Sequence, residues 1–210
     1  MGLRAVIFDY GMVLTGPPDP KAHAALLRIT GLPLARFESL YWADRHAYDE
    51  GKLTGLAFWQ KLVREAGLTL DQEQIEELNQ WDARMWTTEN RVMLDWQLAI
   101  RQRGMLTAIL SNMGDNVLAN LQREFHWIHN FDVLVWSFQH LMAKPDPAIY
   151  RLVLEKLNVQ PGEALFLDDK LVNIKAAQAL GMHAIQFSTV DRLRSELIAL
   201  GYDGLLPLPS

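Results

Sequence analysis

Short apolar runs, each stopping abruptly at a polar residue, punctuate this chain. Leu3–Phe8 stops at Asp9, Met105–Leu110 at Ser111 and Ala164–Leu167 at Asp168. Val133–Trp136 and His183–Phe187 have similar length and character. Strands buried on both faces of a parallel sheet read as near-continuous apolar runs of this kind. Helical spacing fills the intervals: Val92, Met93, Trp96, Ala99 and Ile100 form one stripe, and Val117, Leu118, Leu121 and Phe125 another. Pro147 follows Asp146 where a first helical residue would follow its cap, ahead of Ile149, Leu152 and Val153. Leu193, Leu197 and Leu200 close the series. Alternating strands and helices predict an α/β fold, a doubly wound parallel sheet with helices on both faces.

Residues 16–88 break that rhythm. Helices are expected from Asp19-Pro20 onward, over Pro33–Tyr48, over Thr54–Ala66 and over Asp71–Trp86, the last with Ile75, Leu78, Trp81 and Met85 at helical spacing. A patterned stretch this long, without a convincing strand, is an all-helical insertion rather than a loop. The expected organisation is an α/β core of residues 1–15 and 89–210 carrying a helical cap of residues 16–88.

Composition narrows the class. Half of the 210 residues are hydrophobic and 21% are charged, which describes a globular chain. Twenty Lys+Arg against 25 Asp+Glu give a net charge of −5, the wrong sign for a protein that lives on phosphate-backbone contacts, so no nucleic-acid partner is expected. The chain has no Cys, which excludes thiol catalysis and Cys-based zinc sites. No apolar run approaches the roughly 18 residues needed to cross a bilayer, and Met1–Tyr10 lacks the build of a signal peptide. A cytoplasmic protein, monomer or homodimer, with no membrane partner is expected.

In an open α/β sheet the ligand site lies outside the carboxyl ends of the strands. Asp9, Ser111-Asn112 and Asp168-Asp169 would therefore meet in one crevice, and Lys144 follows the fourth apolar run closely enough to join them. Carboxylates, a hydroxyl, an amide and an ammonium together suit a divalent cation with a phosphate, since hard oxygen ligands hold Mg²⁺. Each residue alone also has a plain structural reading. An Asp after a strand is common turn chemistry, Ser-Asn before a helix caps it, and a Lys before Pro is ordinarily a solvated loop residue. Asp168-Asp169 would serve equally to open the helix bearing Leu171, Ile174 and Ala177.

Taken in order, these segments resemble the haloacid dehalogenase superfamily. Val6–Thr15 resembles its first motif, Ile109–Asn112 its second, Lys144–Tyr150 its Lys-Pro loop, and Phe166–Asn173 followed by Ala176, Ala177, Leu180 and Gly181 its fourth. The Leu-Asp-Asp-x-x-x-Asn form, Leu167 to Asn173, is similar to the phosphatase branch related to the N-terminal domain of epoxide hydrolases and to small-sugar-phosphate phosphatases. The resemblance implies a Mg²⁺-dependent phosphatase acting on a small phosphorylated molecule through an aspartyl-phosphate on Asp9. It implies Asp9, the Gly11 carbonyl and Asp169 as Mg²⁺ ligands, with Asp168 and Asn173 behind them. Ser111, the Asn112 N–H and Lys144 would hold the phosphoryl group. The competing expectations are a 2-haloacid dehalogenase and a catalytically quiet binding protein.

One position departs from the pattern. Most phosphatases of this superfamily carry a second Asp two residues after the nucleophile, as general acid and base; here that residue is Gly11. Without that acid, aryl, acyl and anomeric sugar phosphates are expected to be favoured over simple alkyl phosphates; a substitute proton donor from the flap or cap is the alternative. Asp19 is the nearest candidate, although ahead of Pro20 it reads first as a helix cap. Arg45, His46, Tyr48 and Lys52 are candidate specificity residues or a solvated helix end; Trp42, Trp59, Trp81 and Trp86 are expected mostly to pack the helices, with a place in the pocket for one or two as the lesser reading. His126 and His129 are read as structural.

Overall fold

A computed structural model of the chain describes residues 2–210. The first strand, β1 (Ala5–Phe8), leaves through Asp9 into one wide turn, Tyr10–Leu14, in which Met12 adopts φ 62°. Five helices follow: α1 (Pro20–Thr30), α2 (Leu34–Ala43), α3 (Arg45–Asp49), α4 (Gly55–Ala66) and α5 (Gln72–Arg84). The chain then alternates: α6 (Arg91–Gln102), β2 (Leu106–Ser111), α7 (Asp115–Glu124), β3 (Val133–Trp136), the short α8 (Ser137–His140), α9 (Pro147–Leu157), β4 (Ala164–Asp168), α10 (Leu171–Ala179), β5 (His183–Gln186) and α11 (Val190–Ala199).

All five strands pair in parallel, in the order β3-β2-β1-β4-β5. The central strand is fully buried, as its unbroken apolar run requires. Its side chains alternate between two cores. Val6 and Phe8 pack with Met93, Trp96 and Ile100 of α6, Leu121 of α7 and Leu193 of α11. Ala5 and Ile7 pack on the other face with Ile149 and Val153 of α9 and Ile174 of α10. The result is a Rossmann-like sheet covered on both faces. Among the described residues no helix is long and apolar enough to cross a membrane.

The α1–α5 bundle has its own apolar centre of Leu26, Phe37, Trp59, Leu62 and Leu78. Local chemistry sets its boundaries. The Asp19 carboxylate accepts the Lys21 N–H at 2.9 Å ahead of Pro20, and Gly31, at φ 63°, ends α1. Asp71 and Gln74 form a reciprocal capping box at the start of α5. The single helix expected over Pro33–Tyr48 is instead two. At Asp44 the backbone leaves helical geometry (φ −112°, ψ 5°), and its carboxylate pairs with Lys61 of α4 rather than capping α3. The bundle joins the rest at Thr15 and Glu89, which form an isolated antiparallel bridge.

Two glycines let the bundle seat on the sheet's edge. A Cβ on Gly114 would fall 2.0 Å from the Tyr48 ring, and one on Gly51, at φ 80°, would fall 2.5 Å from the Phe138 carbonyl oxygen. Only a residue without a side chain permits either approach.

Candidate functional site

The parallel register brings the carboxyl ends of β1, β2 and β4 together. Phe8 lies opposite Ile109 and Leu167, so Asp9, Ser111 and Asp168 emerge at one edge. Asp9 is 7% exposed, its N–H donates to Leu167 at 2.8 Å, and its Oδ1 accepts the Tyr10 N–H at 2.7 Å. The Lys144 ammonium lies 2.8 Å from Asp9 Oδ1 and 2.6 Å from Asp168 Oδ2, and is itself buried. It is not the solvated loop lysine that its neighbours in sequence allow.

Asn112 explains how Lys144 gets there. Its side chain donates to the Lys144 carbonyl and accepts the Lys144 N–H, both at 2.8 Å, fastening that loop to the end of β2. The Ser111 side chain, 2% exposed, also faces the cavity.

Asp168 and Asp169, adjacent in sequence, have different surroundings. Asp168 is wholly buried and accepts four hydrogen bonds: from Lys144, from the Lys170 N–H at 2.8 Å, and from Asn173 Nδ2 at 3.0 Å to each oxygen. Asp169 is half-buried and lines the cavity with Asp9, Gly11 and Asn173. Carboxylate oxygens of Asp9, Asp168 and Asp169 all lie within 4.8 Å of one another.

Three carboxylates around one ammonium leave excess negative charge. Burial pushes Asp9 up to about 7; Lys144 opposes the rise, and Asp168 and Asp169 add to it. Burial and the Asp168 charge likewise raise Asp169 above the usual carboxylate range, against Lys170 and Lys144. For Lys144 burial favours the neutral amine, yet Asp168 and Asp9 reverse this and hold it above its ordinary value. Clustered hard oxygen donors with unbalanced charge are the donor set that a divalent cation satisfies.

Above these residues lies a cavity of about 230 Å³. The sheet edge forms its floor, and Pro18, Trp42, Arg45, Asp49 and Trp86 close it from the bundle. Of the tryptophans considered, Trp42 and Trp86 line it, whereas Trp59 is buried in the bundle's apolar centre. Arg45 faces inward, while His46 and Lys52 point outward with side chains 65% and 64% exposed. Tyr48 is buried against Gly114. Asp19 caps α1 and does not line the cavity, so it supplies no replacement for an acid at position 11.

Position 11 itself is open. Gly11 has φ −65°, and a Cβ there would meet nothing within 4 Å. Neither backbone nor packing forces glycine at this point of the site.

Sequence reasoning missed Asp49 and Lys170, both of which line the cavity. Lys170 adjoins the fourth motif and was within reach of inspection. The only local sign of Asp49 is its i,i+4 spacing from Arg45, with which it pairs at 3.0 Å.

A haloacid dehalogenase-like hydrolase family model matches residues 3–181. The chain is 30% identical over 193 residues to Phosphatase MT3486 of Mycobacterium tuberculosis, covering 88% of this chain and 87% of that one. It is 38% identical over 102 residues to Bifunctional epoxide hydrolase 2 of Rattus norvegicus, where the match spans 46% of this chain and 18% of that much longer protein. In structure it is similar to the HAD family enzyme BT-2542 of Bacteroides thetaiotaomicron in complex with magnesium and inorganic phosphate. There the TM-score is 0.74 at 22% identity, covering 91% of this chain and 99% of that one. The chain belongs to the haloacid dehalogenase-like hydrolases, and its Rossmann-like sheet is the fold of that family.

Proposed function

We propose that this hydrolase is a Mg²⁺-dependent phosphatase that cleaves a small phosphate monoester through an aspartyl-phosphate on Asp9. The observation that carries the reading is the division of labour around Lys144. Asp168 is consumed by protein donors, whereas Asp9 and Asp169 present carboxylates to the cavity. A Mg²⁺ ion supplies charge neutralisation, which lets an anionic nucleophile approach an anionic ester. Asp9, the Gly11 carbonyl and Asp169 are the residues to hold it.

Asp9 attacks phosphorus as the carboxylate, the form that Lys144 favours against burial. Ser111, the Asn112 N–H and Lys144 hold the phosphoryl oxygens. Asp168 keeps the Lys144 ammonium in place and Asn173 keeps Asp168 in place, as supporting residues behind a reactive group do. Residues 16–88 act as a cap over a core of residues 1–15 and 89–210, and together they enclose the leaving group. The phosphatase relative and the magnesium–phosphate complex of the structural neighbour support this reading.

The competing reading is a 2-haloacid dehalogenase. The crowding of Asp9, Asp168 and Asp169 favours the phosphatase, because that much negative charge around one lysine suits a cation better than an anionic haloacid alone. The test is phosphate release from p-nitrophenyl phosphate with Mg²⁺ and with EDTA, beside halide release from 2-chloropropionate. Mg²⁺-dependent phosphate release supports the proposal. Halide release insensitive to EDTA would replace it.

A further inference from the structure

We infer that Asp49, carried on the cap, is the general acid and base of this site, standing in for the carboxylate absent at Gly11. The inference rests on the phosphatase reading and concerns the proton that reading leaves unassigned.

Direction selects the residue. In-line displacement sends the leaving oxygen away from the nucleophile. Asp9 rises from the sheet edge, so the leaving group departs toward the cap wall of the cavity. Among the described residues that line that wall, Arg45 and Asp49 are the ionisable ones, and a guanidinium gives up no proton near neutral pH. On the opposite side Lys144 is held between Asp9 and Asp168, and the Tyr10 hydroxyl donates to the Trp86 carbonyl at 2.5 Å. Lys170 is exposed and lies beside Asp169, on the side assigned to the cation.

Charge counting then shows why Asp49 can carry a proton. Arg45 is shared by two acids: its Nε lies 3.0 Å from Asp49 Oδ1, and its Nη1 lies 3.0 Å from Asp82 Oδ1. Asp82 is wholly buried and also accepts the Tyr41 hydroxyl at 2.7 Å, so two donors fix it. Asp49 meets Arg45 through Oδ1, against the two donors on Asp82, and Asp49 is the acid of the pair that lines the cavity. One cation cannot neutralise two enclosed carboxylates. Burial accordingly raises the Asp49 carboxyl above its ordinary range; Arg45 opposes this, Asp82 adds to the rise, and Lys170 pulls the other way.

The backbone aims this acid. Ser137 Oγ, which also accepts the Met113 N–H at 2.9 Å, donates to the Asp49 carbonyl. Two residues on, Gly51 packs on the Phe138 backbone. The end of α3 is thus fastened to the segment after β3, and Asp49 reaches the cavity only while the cap is seated.

The steps balance. An Asp9 oxygen forms a bond to phosphorus as the ester P–O bond breaks, and its electron pair departs on the leaving oxygen, which takes the proton from Asp49. Water then attacks the phospho-Asp9 phosphorus and yields its proton to the Asp49 carboxylate. The Asp9–phosphorus bond breaks, restoring the Asp9 carboxylate and releasing phosphate.

The experiment compares an ethyl and a p-nitrophenyl phosphate ester in the parent, Asp49→Asn, Gly11→Asp and the double variant. A general acid matters most when the leaving oxygen is a poor anion. Asp49→Asn is therefore expected to lower kcat for the ethyl ester by roughly 10²–10⁴-fold and for p-nitrophenyl phosphate far less. Gly11→Asp, whose Cβ would meet nothing within 4 Å, should restore the ethyl ester in the Asp49→Asn background and add little to the parent. Equal loss on both esters would mark Asp49 as a cap-docking residue and overturn the inference. So would an Asp49→Asn enzyme with parental rates. Should Asp49→Asn fail to fold, a large gain on the ethyl ester in Gly11→Asp alone would overturn it too, because the parent would then lack an acid. A parent that releases no phosphate from p-nitrophenyl phosphate refutes the phosphatase reading itself, and the inference with it.

Discussion

The Lys144 ammonium lies 2.6 Å from an Asp168 carboxylate oxygen, with side chains only 1% and 0% exposed. That pair fixes the cation against which Asp9 is placed. It also puts the stability of the sheet edge and its chemistry under one interaction, which gives a first expectation. Lys144→Met leaves Asp9 and Asp168 enclosed without their cation and should destabilise the protein by about 3–5 kcal/mol, besides removing turnover. Urea denaturation checks the first part. A variant as stable as the parent would show that the two carboxylates find protons or water instead.

Asp9→Asn removes a charge that burial already disfavours and keeps the side chain's shape. Phosphate release should disappear while the far-ultraviolet circular dichroism and the midpoint of thermal unfolding stay near the parent's. Residual turnover above about one part in a thousand of the parent, allowing for the size of a nucleophile's contribution, would take the nucleophile's role from Asp9.

The two adjacent acids should separate cleanly. Asp169→Ala removes a cavity-facing carboxylate proposed to hold Mg²⁺, so the Mg²⁺ concentration for half-maximal activity should rise at least about tenfold, with little change in stability. Asp168→Ala strips partners from Lys144 and Asn173 and should cost about 3–5 kcal/mol. Metal titration and urea denaturation of both variants decide it. The opposite ranking would exchange their roles.

Gly114→Ala tests the seating of the α1–α5 bundle. The added methyl would sit 2.0 Å from the Tyr48 ring, and overpacking of this kind typically costs about 1–3 kcal/mol. Turnover should fall as the α1–α5 bundle is displaced, with the sheet's circular dichroism retained. Gly11→Ala, where a Cβ meets nothing within 4 Å, is the matched control for stability. Equal stability and turnover in the Gly114→Ala variant would show that Tyr48 gives way easily.

The sequence disclosed the floor of this site far better than its roof. Asp9, Ser111 and Asp168 each end an apolar run, and a parallel sheet can only align such ends at one edge. The order of the motifs then supplied Lys144 and Asn173. The reach of the Asn112 side chain to the Lys144 backbone was not legible, because that pairing joins residues 32 apart across α7, β3 and α8, and no periodicity encodes a contact between two loop residues. Asp49 was hidden for another reason. Its helix was read as a continuation of the one before, and only the break at Asp44 sets α3 apart. Asp19, singled out by proximity in the chain, proved to be occupied by the start of α1.

The insertion of five helices directly after β1 also bears on how the chain comes together. Ala5, on the central strand, pairs with Leu106 on one side and Ala164 on the other, so neither partner exists when β1 leaves the ribosome. The α1–α5 bundle makes local contacts and can form early. The strand that carries Asp9 must wait, apolar and unpaired, for β2, and on its other side for β4, until most of the chain has been made. Non-local pairing of this kind is intrinsically slow, so assembly of the sheet is expected to lag behind the bundle and to leave the strand that carries Asp9 the segment most open to mispairing in the meantime.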